Sequence, residues 1–213
     1  GGIRNSLIIF QFTMSVLLIA CTMIVWTQIK YLRSKPLGFN ATQVYSIPIG
    51  NEIAGKRLLQ HFRSRLSNQP RILSMTGSDV NLGRGLDGSF SKSVLGFEQN
   101  GKSIQTNMRT ADYEYVKTLD LKLIDGRDFS AAYATDTVSA VVINETMVRQ
   151  LGVKNPIGVT LNTDNKHKVI GVVKDFHFES LHRQIEAVTF FMNGFSINYI
   201  FVKIAPDHVD ETI

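Results

Sequence analysis

A chain of 213 residues that is 44% hydrophobic is long enough for one or two domains with buried cores. Its net charge of +5 comes from scattered Lys and Arg, with no run of five or six basic residues and no basic helix carrying interleaved aromatics, which argues against nucleic acid as a partner. The single cysteine, Cys21, lies in an apolar run, so the remainder of the chain can build neither a disulfide framework nor a cysteine zinc site.

The run is Leu7 to Trp26, LIIFQFTMSVLLIACTMIVW. It holds no Asp, Glu, Lys or Arg over about 20 residues, enough at helical rise to span a hydrocarbon core of ~30 Å. A secretory signal would have a shorter apolar core followed by a small-residue cleavage site. The stretch that follows here, TQIKYLRSKPLGF, has none. A retained transmembrane helix is expected, with Trp26 and Tyr31 as interfacial aromatics. Arg4 on one side and Lys30, Arg33 and Lys35 on the other do not settle its orientation, because long domains translocate largely regardless of flanking charge. The helical pattern runs on to Leu32 as a short stalk and should end by Lys35, since Pro36 disfavours helix in the residue before it.

Beyond the stalk, Val44 to Ile49 is expected as a strand, near an edge because of Pro48. Glu52 to Leu66 has the apolar spacing of an amphipathic helix. Ile72 to Ser78 is the next strand, completing a βαβ unit. Val80 to Ser89, VNLGRGLDGS, is rich in glycine. It lacks the Gly-Lys-Ser/Thr ending of a phosphate loop and opens no apolar helix, so it is taken as a linker and no nucleotide site is expected at Gly83–Gly88. Phe90–Phe97 and Ser103–Thr110 flank an Asn-Gly pair, the signature of a hairpin. Asp112 is expected to cap a short helix carrying Tyr115, Val116 and Leu119. Leu121–Ile124 is extended, followed by a turn at Asp125-Gly126. Val138–Ile143 is expected as a buried strand. Asn144 caps the next helix, with Glu145 favourable at its positive end, and Gly152 stops it. Val169–Val173, Val188–Met192 and Tyr199–Ile204 are further strands, and Asp207 caps a helix that begins where these residues stop, as in a fragment of a larger protein.

Four stretches carry a resemblance: LGFN just after the membrane helix, YVKTLDLKLIDGRDFS, VVINETMVRQLGVKNPIG and VIGVVKDFHFESLHRQIE. In this order and spacing the chain, from its membrane helix to about Ile204, resembles the MacB-like periplasmic core domain of FtsX-type ABC transporter permeases. The resemblance implies an α+β fold: an N-terminal transmembrane and stalk helix (1–35), then a porter-like α/β subdomain (36–80 with 185–213) interrupted by an inserted β-rich subdomain (81–184). The later membrane helices of the family are not in these residues. It further implies an inner-membrane location with the soluble domain in the periplasm. The implied partners are a cytoplasmic ATPase subunit, a second permease copy or half, and a periplasmic or outer-membrane protein. Neither enzymatic activity nor a cofactor is implied.

The stretch DFHFESLH, residues 175–182, is the one place where side chains of metal or acid–base chemistry crowd together. Two His and a carboxylate can hold zinc, which makes His177, Glu179 and His182 the candidates. Their spacing is not the i, i+4 pattern of a helical HExxH site. On a strand, Phe176 and Phe178 would share the core face, with His177 and Glu179 turned outward. The stretch is therefore expected to be a structural turn, with no catalytic or cofactor-binding residue assigned. Arg127 and Asp128 are likewise expected to serve turn chemistry and an ion pair, with a partner contact as the alternative. Two other functions compete with the transporter component: a membrane-anchored domain that senses a ligand, and an envelope hydrolase using His177, Glu179 and His182.

Overall fold

The computed structural model describes residues 2–34, 38–39, 43–49, 54–66, 68–83, 85, 88–178, 184–192 and 196–205. It divides into two compact units, Gly1–Pro36 and Leu37–Ile213.

The first unit is a single helix, α1 (Gly2–Ser34), of which Gly2–Tyr31 is long and apolar enough to cross a membrane. Its large apolar side chains are exposed on all sides, Trp26 at 71%. A helix apolar all round has no stable place in water. Its polar side chains are turned inward on the backbone: the hydroxyls of Thr13, Ser15, Thr22 and Thr27 donate to the carbonyls of Ile9, Gln11, Leu18 and Met23 at 2.8–2.9 Å. That satisfies them without water, as a hydrocarbon environment requires.

The second unit begins with β1 (Val44–Pro48), α2 (Gly55–Leu66) and β2 (Ile72–Ser78). There follow β3 (Val94–Gln99), β4 (Lys102–Thr110), α3 (Tyr115–Thr118), β5 (Leu123–Gly126), α4 (Asp136–Ser139), β6 (Ala140–Asn144), α5 (Glu145–Leu151), β7 (Lys168–Val173), β8 (Val188–Phe191) and β9 (Tyr199–Ile204). Two sheets result, one of order β1-β9-β2 and one of order β3-β4-β8-β6-β7-β5.

In the small sheet β1 and β2 both run antiparallel to β9, from Val44 opposite Lys203 to Ser78 opposite Tyr199. The expected βαβ unit is thus split by a strand arriving from the far end of the domain. Pro48 sits on the edge strand β1, where its missing N–H costs no sheet bond. On one face of this sheet α2 buries Leu59 against Met75, Ile200, Val202 and Ile204, while Lys56, Arg57 and Arg65 remain exposed. The start of α2 expected at Glu52 and the helix expected after Asp207 lie outside the described residues.

In the large sheet the β3–β4 hairpin closes on Asn100 and Gly101 at φ of 52° and 72°, the two left-handed positions of a type I′ turn. β6 is buried on both faces. Ala140 and Val142 join the core that also holds Tyr115, Phe176, Phe190 and, from the small sheet, Phe201. Val141 and Ile143 join the core under α5, with Met147, Leu151 and Leu161. β8, expected to lie with 185–213, pairs with β4 and β6 in the large sheet.

Three local expectations are corrected. Asp125-Gly126 is not a turn but the end of β5, with Asp125 opposite Val172 and Gly126 opposite Gly171. Asp112 does not cap α3: the N-cap position is Glu114, left-handed at φ 59°, with no side-chain capping bond. The strand expected from Val138 begins at Ala140, because Asp136–Ser139 forms the single helical turn α4, with Val138 71% exposed.

Deleting residues 1–35 should leave a soluble domain that unfolds in one cooperative urea transition. Insolubility of that protein, or a non-cooperative transition, would show that the domain needs α1 to fold.

Candidate functional site

The DFHF stretch follows β7 and has left the sheet, so His177 does not project from a strand. The chain leaves the sheet at Val173 and delivers Asp175 to the start of α5. The Asp175 carboxylate accepts hydrogen bonds from Asn144 Nδ2 (2.8 Å), Thr146 N (2.9 Å) and Thr146 Oγ1 (2.8 Å), and pairs with Arg149 at 2.6 Å. Its own N–H donates to Glu145. Asn144 caps α5 by accepting from Met147 N at 3.1 Å, and the same oxygen accepts from Val188 N at 2.9 Å. Asp175 is thereby fully committed to fastening α5 to the sheet. Phe176 is 1% exposed and stacks on Phe190 at 6.2 Å, with Phe178 beside it at 5.7 Å. Both rings are in the core, as expected. Of the three metal candidates only His177, half-buried, is described; Glu179 and His182 lie outside the described residues.

Polar side chains converge instead where the ends of β2 and β4 meet. Ser78 bridges to Ala111 as an isolated antiparallel pair, and Asp112 N donates to the Gly77 carbonyl at 3.1 Å. Ser78 Oγ donates to the Thr110 carbonyl at 2.6 Å, and Asp79 accepts from Thr110 N at 2.8 Å. Asn198, just ahead of β9, donates from its backbone to Ser78 O at 2.9 Å and from its side chain to Asp79 O at 3.1 Å. Across this seam lies Arg63 of α2. Its guanidinium pairs with Asp112 at 3.1 Å and donates to the carbonyls of Met75 (3.0 Å) and Tyr113 (3.2 Å). Lys203 of β9 adds an ion pair to Asp120, beyond α3. Tyr115 supplies the apolar part, tilted on Phe190 of the large sheet at 5.0 Å and edge-on to Phe201 of the small one at 6.4 Å.

The seam is not fully satisfied. Ser74 and Thr76 alternate with Met75, so they face away from α2, and their hydroxyls, with that of Thr118 on α3, are buried without a hydrogen-bond partner among the described residues. Burial raises the Asp79 carboxyl above its ordinary range, against the opposing pull of the Thr110 N–H and Arg109. Burial also pushes Tyr115 upward. Nothing in this set forms a nucleophile and base; the two sheets meet here through ion pairs, strand bridging and one shared aromatic cluster.

The expected ion pair of Arg127 exists, and its partner is Asp136, held in bidentate fashion at 2.6 and 2.7 Å, with the guanidinium 3.8 Å from the Tyr133 ring centre. Asp128 instead accepts from Lys117 N (3.1 Å) and Phe129 N (2.7 Å), and burial raises it to about 6. In the sequence Arg63 has only the marks of a solvated basic position on an amphipathic helix, because its partners are 12 to 50 residues away.

Residues 17–212 match a family model described as MacB-like periplasmic core domain. Among solved structures the chain is similar to the periplasmic region of MacB from Actinobacillus actinomycetemcomitans: 23% identity, TM-score 0.52, 78% of this chain and 76% of that one covered. It is also similar to the extracellular domain of the ABC-type transporter YknZ from Gram-positive bacteria: 14% identity, TM-score 0.49, coverage 78% and 84%. No curated protein matches the sequence.

Asp128 generates a pH prediction. Its folded pKa, about 6, lies above the 3.8 of an ordinary Asp, so folding takes up a proton. The resulting stabilisation is fully present below the unfolded value and is lost as pH rises through about 6. Relative to Asp128→Asn, the wild type should therefore gain about 1 kcal/mol between pH 7 and pH 5 in urea unfolding. An unchanged difference at the two pH values would contradict this.

Proposed function

The chain belongs to the family of MacB-like periplasmic core domains, and from that premise we propose that it is the extracytoplasmic domain and first membrane helix of an ABC transporter permease. The match over 17–212 carries this reading, since it spans both the latter part of α1 and the folded domain. The apolar, all-round exposed α1 supports anchorage in a membrane, which we take to be the inner membrane, with Leu37–Ile213 in the periplasm.

In this role the domain works by movement and performs no reaction of its own. A cytoplasmic ATPase supplies the work. The motion reaches the domain through the chain that joins α1 to β1, and a second permease copy or half completes the machine. From β1 it enters the small sheet, crosses the seam at Arg63–Asp112 and Ser78–Ala111, and reaches the large sheet, which meets a substrate or an envelope partner. The strand pairing supports a porter-like part built from β1, α2, β2 and β9, and an insert built from β3 to β8. Because β8 pairs with β4 and β6, the second boundary of the insert is proposed between Phe191 and Tyr199 rather than at 184/185.

Purification of the intact protein from its own membranes in mild detergent tests the proposal. An ABC-type ATPase should co-purify, and Arg63→Ala should keep that complex while lowering the transport obtained per ATP hydrolysed. Isolation without any ATPase, or on the same polypeptide as a cytoplasmic signalling domain, would overturn the reading in favour of a ligand sensor.

A further inference from the structure

We propose that the cleft between α4 and the 163–167 turn binds a small organic cation with an apolar or aromatic body. This inference does not rest on the transporter reading. α5 and the segment leading to β7 cover only part of one face of the large sheet. Where the cover stops, a cleft of about 290 Å³ remains, near the lower end of the size of small-molecule sites.

Its floor is Leu95, Met108 and Phe191, contributed by β3, β4 and β8. An aromatic ring beside a thioether offers an adaptable apolar bed. Val138 of α4 stands in one wall, 71% exposed. This is the residue whose apolar character suggested a buried strand, and the fold gives it no core to enter.

The opposite wall is polar and ordered. His167 stands edge-on to Phe191, ring centres 4.8 Å apart, and its Nδ1 is engaged by Thr163 Oγ1 at 2.8 Å. Burial lowers the His167 pKa, which favours the neutral ring at pH 7. Among the described residues no Lys or Arg lines the cleft, although Lys166 and Lys168 flank it in sequence. Of its two carboxylates, Asp136 is neutralised by Arg127, which leaves Asp164 at the rim as the uncompensated charge. An anion would meet Asp164 with no basic side chain in the lining to offset it. A cation gains the carboxylate while its apolar part covers Phe191 and Met108.

Two probes of one shape and opposite charge, phenethylammonium and phenylacetate, separate the outcomes when titrated calorimetrically into the intact protein in nanodiscs at pH 7. Saturable binding of phenethylammonium is expected, and none of phenylacetate. Asp164→Asn should weaken the former about two- to five-fold, as an exposed charge contact would. Met108→Trp, which fills the floor, should abolish it. Asn165→Trp, at the exposed turn, obstructs the same cleft should the Met108 variant fail to fold. Absence of saturable phenethylammonium binding, equal binding of both probes, or binding that survives the cleft-filling variant that folds would each overturn the proposal.

Discussion

β9 lies between β1 and β2, and those two strands do not pair with each other. The small sheet therefore cannot close until the chain has passed through residues 79–198 and returned. Closing a loop of that length carries an entropic cost before any reward, and the sheet that depends on it is built from non-local pairings. What offsets the cost is the two-sided burial of the returning strand. Ile200, Val202 and Ile204 complete the core under α2, and Phe201 enters the core of the large sheet. One six-residue strand thus contributes to two of the three hydrophobic clusters, and the stability of either sheet is tied to the other.

The seam between the sheets is anchored at a few points. Arg63 gathers Asp112 and two carbonyls, and Asp79 and Ser78 fasten the crossing of β2 with β4. Between these anchors lie the hydroxyls of Ser74, Thr76 and Thr118 without partners among the described residues.

Much of the layout was legible because its signals are local. The uncharged run before Trp26, the apolar spacing of α2, Asn100-Gly101 and the Asn144-to-Gly152 helix each declare themselves within a few residues. DFHF was legible in part: Phe176 and Phe178 are core residues as expected, yet the backbone leaves the strand because Asp175 is drawn to α5. Asp112 looks like a cap until Arg63, 49 residues earlier, takes its carboxylate. Val138 looks like strand because a short apolar run does not reveal its backbone, and the bidentate Arg127–Asp136 pair stands where α4 begins. The position of β9 left no local mark, since a central strand of either sheet would have the same apolar run.

The central claim is that the two sheets, joined through β9 and the seam, behave as one body. Native-state hydrogen exchange on the intact protein under rising denaturant tests it most directly, because cooperative units show themselves as amides that merge into one opening. Amides of Ile200 and Val202 in β9 and of Val142 and Ile143 in β6 should converge on the same opening free energy. Exchange of the β1, β9 and β2 amides through a separate, lower-energy opening, with β6 and β7 still protected, would contradict the account.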